Sequence, residues 1–501
     1  MMFIGMLMET PLSQLDDSAD PAHRTNSPDL LPSMPRRFTS ASGPAHQIWW
    51  LHPASLMGCV VGVTATAAYF TPKEVYEDAW NTPKLFGDIH LFYIGLWIIS
   101  FVFGSFLYNA FAHHAPVPRA RGNRPIPSPG SNTTVLSRLF WFFVTLTLLG
   151  YLCWVGLAIS RGLNLRLLMA VLKGEDGVVY SIRRVQFQTF PGVTTATQFG
   201  TAAVIFGMLL YRQRPSLRTA SGIVCVLGLA AVRAIILSER LALLELLVPC
   251  VLLKLRLWTL STRHISVARR RWLNVTPLVA VLLLASFFAT AEYFRSWKVH
   301  YARVQDSFAT FALGRLTGYY TTAFNNGVLS FDDTTLLPHV PRYLIDFVWT
   351  FPGMTDSYER LTGSDPLEAF STGLSQYANP EFNNPGGMFL PAYDLGLVFV
   401  LVFWIIAGAI ATRIYRLFQR GAGGGLLLYP LVFIGILELP RVFYLSGGRQ
   451  FPSVFALLAI SLLGFRYGGL HGKRPTSATC GLPARSVSAS KIVKASSART
   501  T

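Results

Sequence analysis

Ten apolar runs punctuate the chain, near 47–70, 89–110, 138–160, 195–211, 219–237, 241–257, 273–294, 391–411, 426–444 and 451–466. Each is close to the roughly 20 residues an α-helix needs to cross a hydrocarbon core of about 30 Å. The pattern predicts an all-α, polytopic integral membrane protein with about ten transmembrane helices. Most connections are short, but two are long, spanning 161–194 and 295–390. Long connections in compact proteins are commonly functional. In the larger one, apolar spacing over Tyr301 to Phe324 and a stop at Asn325, Asn326 and Gly327 predict an amphipathic helix on the outer membrane surface.

Basic residues orient the spans. With ten spans both termini share a side. If that side is the cytoplasm, the inside segments collect Arg119, Arg121, Arg124 and Arg138, then Arg212, Arg214 and Arg218, then Lys254, Arg256, Arg263 and Arg269 to Arg271, and finally Arg413, Arg416 and Arg420. No acidic residue lies in any of them after Asp29. Lys/Arg asymmetry of this kind is the established determinant of orientation, and it predicts a multi-pass protein of the cytoplasmic membrane with both termini inside. The domain reading is then a cytoplasmic tail at 1–46, a membrane domain at 47–466 with outside loops 161–194 and 295–390, and a basic cytoplasmic tail at 467–501. Both tails are too poor in apolar residues to fold alone and are expected to be disordered. The opening MMFIGMLM has no basic region before it and an acidic, proline-rich stretch after it, so it does not read as a signal peptide.

Composition agrees with this class: 51% of the 501 residues are hydrophobic and only 14% charged, against about 25% charged in ordinary soluble domains. The net charge of +18 sits in short loops beside apolar runs rather than on a recognisable binding module, which argues against a nucleic-acid partner. Four of the five cysteines lie inside apolar segments, with no CxxC and no histidine at ligand spacing, so neither a disulfide framework nor a metal site is expected. Motifs of nucleotide, serine-hydrolase and zinc-protease sites are absent, and no cofactor is expected.

Ionisable residues at membrane depth are costly and become the first functional candidates. Arg233, Glu239, Arg240 and Glu245 span the turn between the fifth and sixth runs. Arg183 and Arg184 precede a Phe-Pro-Gly turn in the smaller outside loop, and Arg449 follows the Ser-Gly-Gly turn between the last two runs. Planar guanidinium groups at a membrane surface suit phosphate or pyrophosphate, with lipid headgroup binding the plain alternative. Glu438 is expected to pair with Arg441. The large outside loop is rich in aromatic residues and carries nine carboxylates and several asparagines, a mixture suited either to interfacial anchoring or to stacking against sugar rings.

The stretch from Asn379 to Phe399, NPEFNNPGGMFLPAYDLGLVF, resembles the bacterial O-antigen, or oligosaccharide repeat-unit, polymerase family, in which an Asn- and aromatic-rich segment runs into Tyr-x-Asp-x-Gly-like residues opening a late transmembrane helix. Asn384, Tyr393, Asp394 and Gly396 carry that likeness here. The turn at Leu237-Ser-Glu-Arg-Leu is similar to the family's Gly-Ser-Arg turn, although Glu239 stands where a serine is commoner, and an arginine often found before the Tyr-Asp segment is missing.

That resemblance implies a membrane-embedded glycosyltransferase that moves a growing glycan from polyprenyl pyrophosphate to a hydroxyl of an incoming lipid-linked repeat unit. Its partners would be that lipid-linked oligosaccharide, membrane lipids and a chain-length regulator protein. Positive charge stabilises the departing pyrophosphate and a carboxylate activates the acceptor. The residues assigned on this reading are Arg183, Arg184, Arg240 and Arg449 for pyrophosphate, Asp394 or Glu381 as base, and Tyr319, Tyr393 and Asn384 for sugar. Arg240 is counted with the two carboxylates as catalytic. Rival readings are a ligase passing a finished glycan to another acceptor, a transporter or flippase for lipid-linked sugars, and a non-enzymatic scaffold.

Overall fold

The computed structural model describes residues 48–114, 129–261 apart from 174, 176, 177, 191 and 238, 266–303, and 307–464 apart from 352 and 355. Both expected tails fall outside the described residues. Everything described is helix or connection, with no strand among these residues. Seven helices are long and apolar enough to cross a membrane. They are α1 (Pro53–Phe70), α2 (Asp88–His114), α3 (Pro129–Ser160), α4 (Val193–Gln213), α5 (Leu217–Ile236), α7 (Val267–Glu292, which continues as a π-helix over Tyr293–Tyr301) and α9 (Leu390–Gln419).

Three further helices match apolar runs read from the sequence but fall outside that set. The 22-residue α6 (Arg240–Ser261) carries Arg240, Glu245, Lys254 and Arg256, and α10 (Gly423–Glu438) and α11 (Phe451–Leu462) are shorter, at 16 and 12 residues. Side-chain contacts give α6 its direction. Thr201 in α4 donates to the Glu245 carbonyl near the start of α6, and Arg256 near its end donates to the Phe418 carbonyl at the end of α9. Twenty-two residues at 1.5 Å rise make α6 about 33 Å long.

Helices α2 and α9 form the closest pair. Gly104 faces the Ile405 carbonyl and Gly408 faces the Phe101 carbonyl so tightly that a Cβ at either position would collide with backbone. Small residues permit such approach in membranes, where packing rather than water exclusion drives association. The pair is parallel: Thr412 donates to Ser105 at 2.7 Å, and Arg416 donates to Asn109 one turn further along both helices. At the other end, Phe86, Trp97, Phe324, Phe331 and Phe389 pack in edge-to-face and tilted contacts into an aromatic centre.

The large loop differs from its sequence reading. Instead of stopping at Asn325, the helix α8 runs over Phe308–Phe331, and Asn325, Asn326 and Gly327 are buried within it. The reason is hydrogen bonding. Asn325 Oδ1 accepts from the amides of Leu85 (2.6 Å) and Phe86 (3.1 Å) while its Nδ2 donates to the Pro83 carbonyl, and Asn326 Nδ2 donates to the carbonyls of Phe382 and Asn384. The two amides therefore satisfy two passing loops that could not satisfy themselves, and the helix continues past them.

Helix α9 is broken at Gly396, where φ is 72° and ψ 168°, a conformation that glycine adopts without strain. The groups released by the break pair with an extended segment: His339 N donates to the Asp394 carbonyl and Leu397 N to the Thr335 carbonyl. A side chain at Gly396 would strike the Leu336 and Leu337 backbone. Phe443, just beyond α10, packs on Phe403 at a centroid separation of 6.1 Å. Phe403 is seven residues past the break, roughly 10 Å along the helix, so the turn between α10 and α11 reaches back alongside α9 beyond Gly396.

Candidate functional site: an arginine-rich network at one end of the bundle

Helix α5 ends and α6 begins around Glu239, and that carboxylate collects three arginines. Arg233, in the last turn of α5, donates Nε at 2.8 Å and holds a second nitrogen at 2.6 Å from the same Oε2. Arg449, in the recessed turn before α11, places Nη1 3.5 Å from Oε2, and Arg183 places Nη2 4.0 Å from Oε1. Arg449 also donates Nε to Glu245 Oε1 at 2.7 Å, and Glu245 is 3% exposed. Arg233 continues to Thr197 Oγ1 and lies 4.8 Å over the Trp154 ring.

Among the described side chains around Glu239, three arginines face two glutamates, one positive charge in excess. Burial alone would raise the Glu239 pKa, but Arg233, Arg449 and Arg183 together hold it below the usual 4.5. Burial likewise opposes the charge on Arg449, and Glu245 and Glu239 outweigh it. Arg449 keeps one donor, Nη2, without a partner although that atom is buried. Arg233 and Glu245 line a small cavity together with Tyr151, Thr197, Gln198 and Thr201.

Arg183 and Arg449, singled out from sequence, thus meet on Glu239. Arg184 is exposed on the same short π-helix as Arg183. Arg240 opens α6 one residue after Glu239, and its side chain lies outside the described part of the structure. The expected ion pair between Arg441 and Glu438 forms at 2.9 Å, and Arg441 reaches on to Asn384 Oδ1 at 3.4 Å while its carbonyl accepts from Gly386 N. Asn384 therefore joins the arginines of the recessed turn.

The other candidates sit apart from Glu239. Asp394 is 0% exposed, and its two oxygens accept from the backbone amides of Arg342 (2.9 Å), Tyr343 (2.8 Å) and Leu344 (2.6 Å). This carboxylate folds the 342–344 turn. The turn in turn meets the arginine region, because Ser446 Oγ donates to the Tyr343 carbonyl at 2.6 Å. Tyr393 stacks on His339 at 5.3 Å and 15°.

Glu381 pairs with Arg315 of α8 at 2.6 Å and accepts from Tyr301 at 3.3 Å, with 43% of its side chain still exposed. Burial opposes the Arg315 charge, yet Glu381, Tyr319 and Glu292 leave its pKa raised. Four rings, Tyr301, Phe311, Tyr319 and Phe382, surround that guanidinium at 4.9–6.0 Å, so Tyr319 belongs to a cation–π cage. Arg315 and Arg342 are the residues that sequence reasoning passed over. Arg342 binds Asp346 (2.6 Å) and Asp365 (3.2 Å), and nothing in the local spacing distinguishes it from other loop arginines.

Among the described residues no group of three or more His, Cys, Asp or Glu is placed to hold a metal. Comparisons with protein-family models, with curated proteins and with solved structures find no match to this chain.

Proposed function

We propose that this chain is a membrane glycosyltransferase that polymerises polyprenyl-pyrophosphate-linked oligosaccharide repeat units at the outer face of the cytoplasmic membrane. The observation that carries the proposal is the cluster of Arg183, Arg233 and Arg449 around Glu239, with a net positive charge and a buried, unpartnered Arg449 donor at one end of an apolar bundle. Guanidinium donors in a site of low dielectric stabilise the charge that develops on a departing pyrophosphate. On this proposal Arg441 and Arg449, carried by the turn between α10 and α11, meet the pyrophosphate at the membrane surface.

The ten-span topology belongs to the same proposal. A parallel α2–α9 pair requires an odd number of crossings between the two helices, and α3, α4, α5, α6 and α7 supply five. With the positive-inside bias, the Glu239 network then faces outward and both termini face the cytoplasm.

In this reading Asp394 positions and Glu381 activates. Asp394 has its lone pairs engaged by three amides, whereas the partly exposed Glu381 can accept the proton of an incoming sugar hydroxyl as that oxygen attacks the anomeric carbon and the C–O bond to pyrophosphate breaks. Only Phe382 and Asn383 separate Glu381 from Asn384, which touches Arg441, so base and phosphate-binding region are joined by no more than about 10 Å of chain. Tyr319, Tyr393 and Asn384 remain the assigned sugar contacts.

The test is incubation of the purified protein with a polyprenyl-pyrophosphate-linked repeat unit, with and without a chelator, resolving products by size. A ladder that survives chelation is the expected result. One transferred unit without a ladder would favour a ligase, and no product on a substrate that another polymerase elongates would refute the proposal.

A further inference from the structure

Shortly after α8 ends at Phe331, the segment 335–341, TLLPHVP, runs across the break in α9. The contact is direct: the peptide groups of Leu336 and Leu337 occupy the space that a side chain at Gly396 would fill, and Leu397 N donates to the Thr335 carbonyl at 3.1 Å. Yet Leu336 and Leu337 are themselves 65% and 69% exposed. Leu397 is followed at once by Val398, the first of a bare apolar stripe. Val398, Val402, Ile406 and Ile410, four residues apart along α9, are each about half exposed. On a helix that crosses a bilayer, such a stripe is the side that meets hydrocarbon.

The same helix sets the depth. The first charged residue after Gly396 is Arg413, 17 positions on, which at 1.5 Å per residue is about 26 Å. A hydrocarbon core of about 30 Å that ends at Arg413 therefore extends a few ångströms past the break and takes in the segment lying on it. Irregular backbone is tolerated at such depth where its polar groups are met within the protein. Much of that pairing is present here. The carbonyls of Leu337, Val340 and Pro341 accept from Thr335 Oγ1 (2.7 Å), the Tyr358 hydroxyl (3.0 Å) and Trp349 Nε1 (2.8 Å). His339 N donates to the Asp394 carbonyl at 2.9 Å, and Pro338 and Pro341 have no N–H to satisfy. A loop in water could leave those groups to solvent.

We propose that segment 335–341 is inserted in the membrane, with Leu336 and Leu337 seated among the acyl chains of the leaflet at the Gly396 end of α9. Lipid is the occupant because the two leucines continue the hydrocarbon-facing stripe of α9 on a backbone already paired within the protein. Leu361 marks the contrast. It lies on the short helix Ser357–Thr362 and is 66% exposed, but its neighbour Arg360 pairs with Asp356 and both charged side chains are exposed, an arrangement that belongs in water. The proposal needs only that α9 crosses the bilayer, so it stands apart from the glycosyltransferase reading.

The test uses the full-length, unaltered protein in phosphatidylcholine nanodiscs and two labelling reagents, read residue by residue by mass spectrometry. A phosphatidylcholine with a photoactivated diazirine on its acyl chain reports contact with hydrocarbon, and hydroxyl radicals generated in the water report contact with solvent. Leu336 and Leu337 are expected to take several-fold more acyl-chain label than Leu361, and Leu361 several-fold more oxidation than either. Oxidation of Leu336 and Leu337 at the level of Leu361, or acyl-chain label no higher than at Leu361, overturns the proposal. Protection of both leucines from both reagents overturns it as well, in favour of a second copy of this chain as the cover.

Discussion

Arg449 bridges two carboxylates, Glu239 and Glu245, and keeps one buried donor spare, so its removal deletes a candidate pyrophosphate donor while also leaving the buried Glu245 without its ion-pair partner. Arg449→Ala should lower polymerisation by about 100-fold or more, the usual scale for losing one preorganised donor, with membrane insertion intact. Product length and the gel-filtration profile check the two halves of that statement. Glu239 makes a separate prediction. Its folded pKa lies below 4.5, so its contribution to stability is present above that value and is lost as pH falls through the lowered folded pKa. The melting temperature of the wild type should therefore fall more steeply below pH 4.5 than that of Glu239→Gln, and parallel curves would contradict the three-arginine pairing. Asp394→Ala should strand three buried amides at a cost of about 2–4 kcal/mol, read as a lower melting temperature and faster proteolysis near Arg342.

Element boundaries were legible where apolar runs are long. The runs near 89–110, 138–160, 219–237 and 391–411 became α2, α3, α5 and α9, with one limit of α3 and one of α9 extended by about two turns and the others close, because hydrophobic length dominates in lipid. The error at α8 has a specific cause. Asn-Asn-Gly ends a helix in water, where nothing else satisfies the amides, but here the loops at Pro83 to Phe86 and Phe382 to Asn384 supply partners distant in sequence. Asn325→Ala should cost about 2–4 kcal/mol for the same reason as Asp394→Ala, measured as thermal stability in detergent. The close α2–α9 pair escaped sequence reading too, since Gly104 and Gly408 are two glycines among 41 and only the three-dimensional register makes them face opposing carbonyls.

At the scale of the whole molecule, the arginines were readable as candidates from position alone, but their convergence was not. Arg183, Arg233 and Arg449 are up to 266 positions apart, and no local spacing encodes that they share Glu239. Topology is the property that decides whether they face the lipid-linked substrate. With α6 crossing, Ser216→Cys and Ser266→Cys lie together on the inner side and Ser364→Cys on the outer, so a membrane-impermeant maleimide should label only the last in intact cells. Labelling of Ser266→Cys alongside it would remove α6 as a span.

The most direct test of the central claim is the affinity of the nanodisc-embedded protein for polyprenyl pyrophosphate against the matching polyprenyl alcohol, in wild type and Arg449→Ala. Tighter binding of the pyrophosphate by the wild type, reduced about 100-fold in the variant, is the expected result. Equal binding of the two lipids, or a pyrophosphate preference indifferent to Arg449, would contradict the assignment of the Glu239 network as the pyrophosphate site.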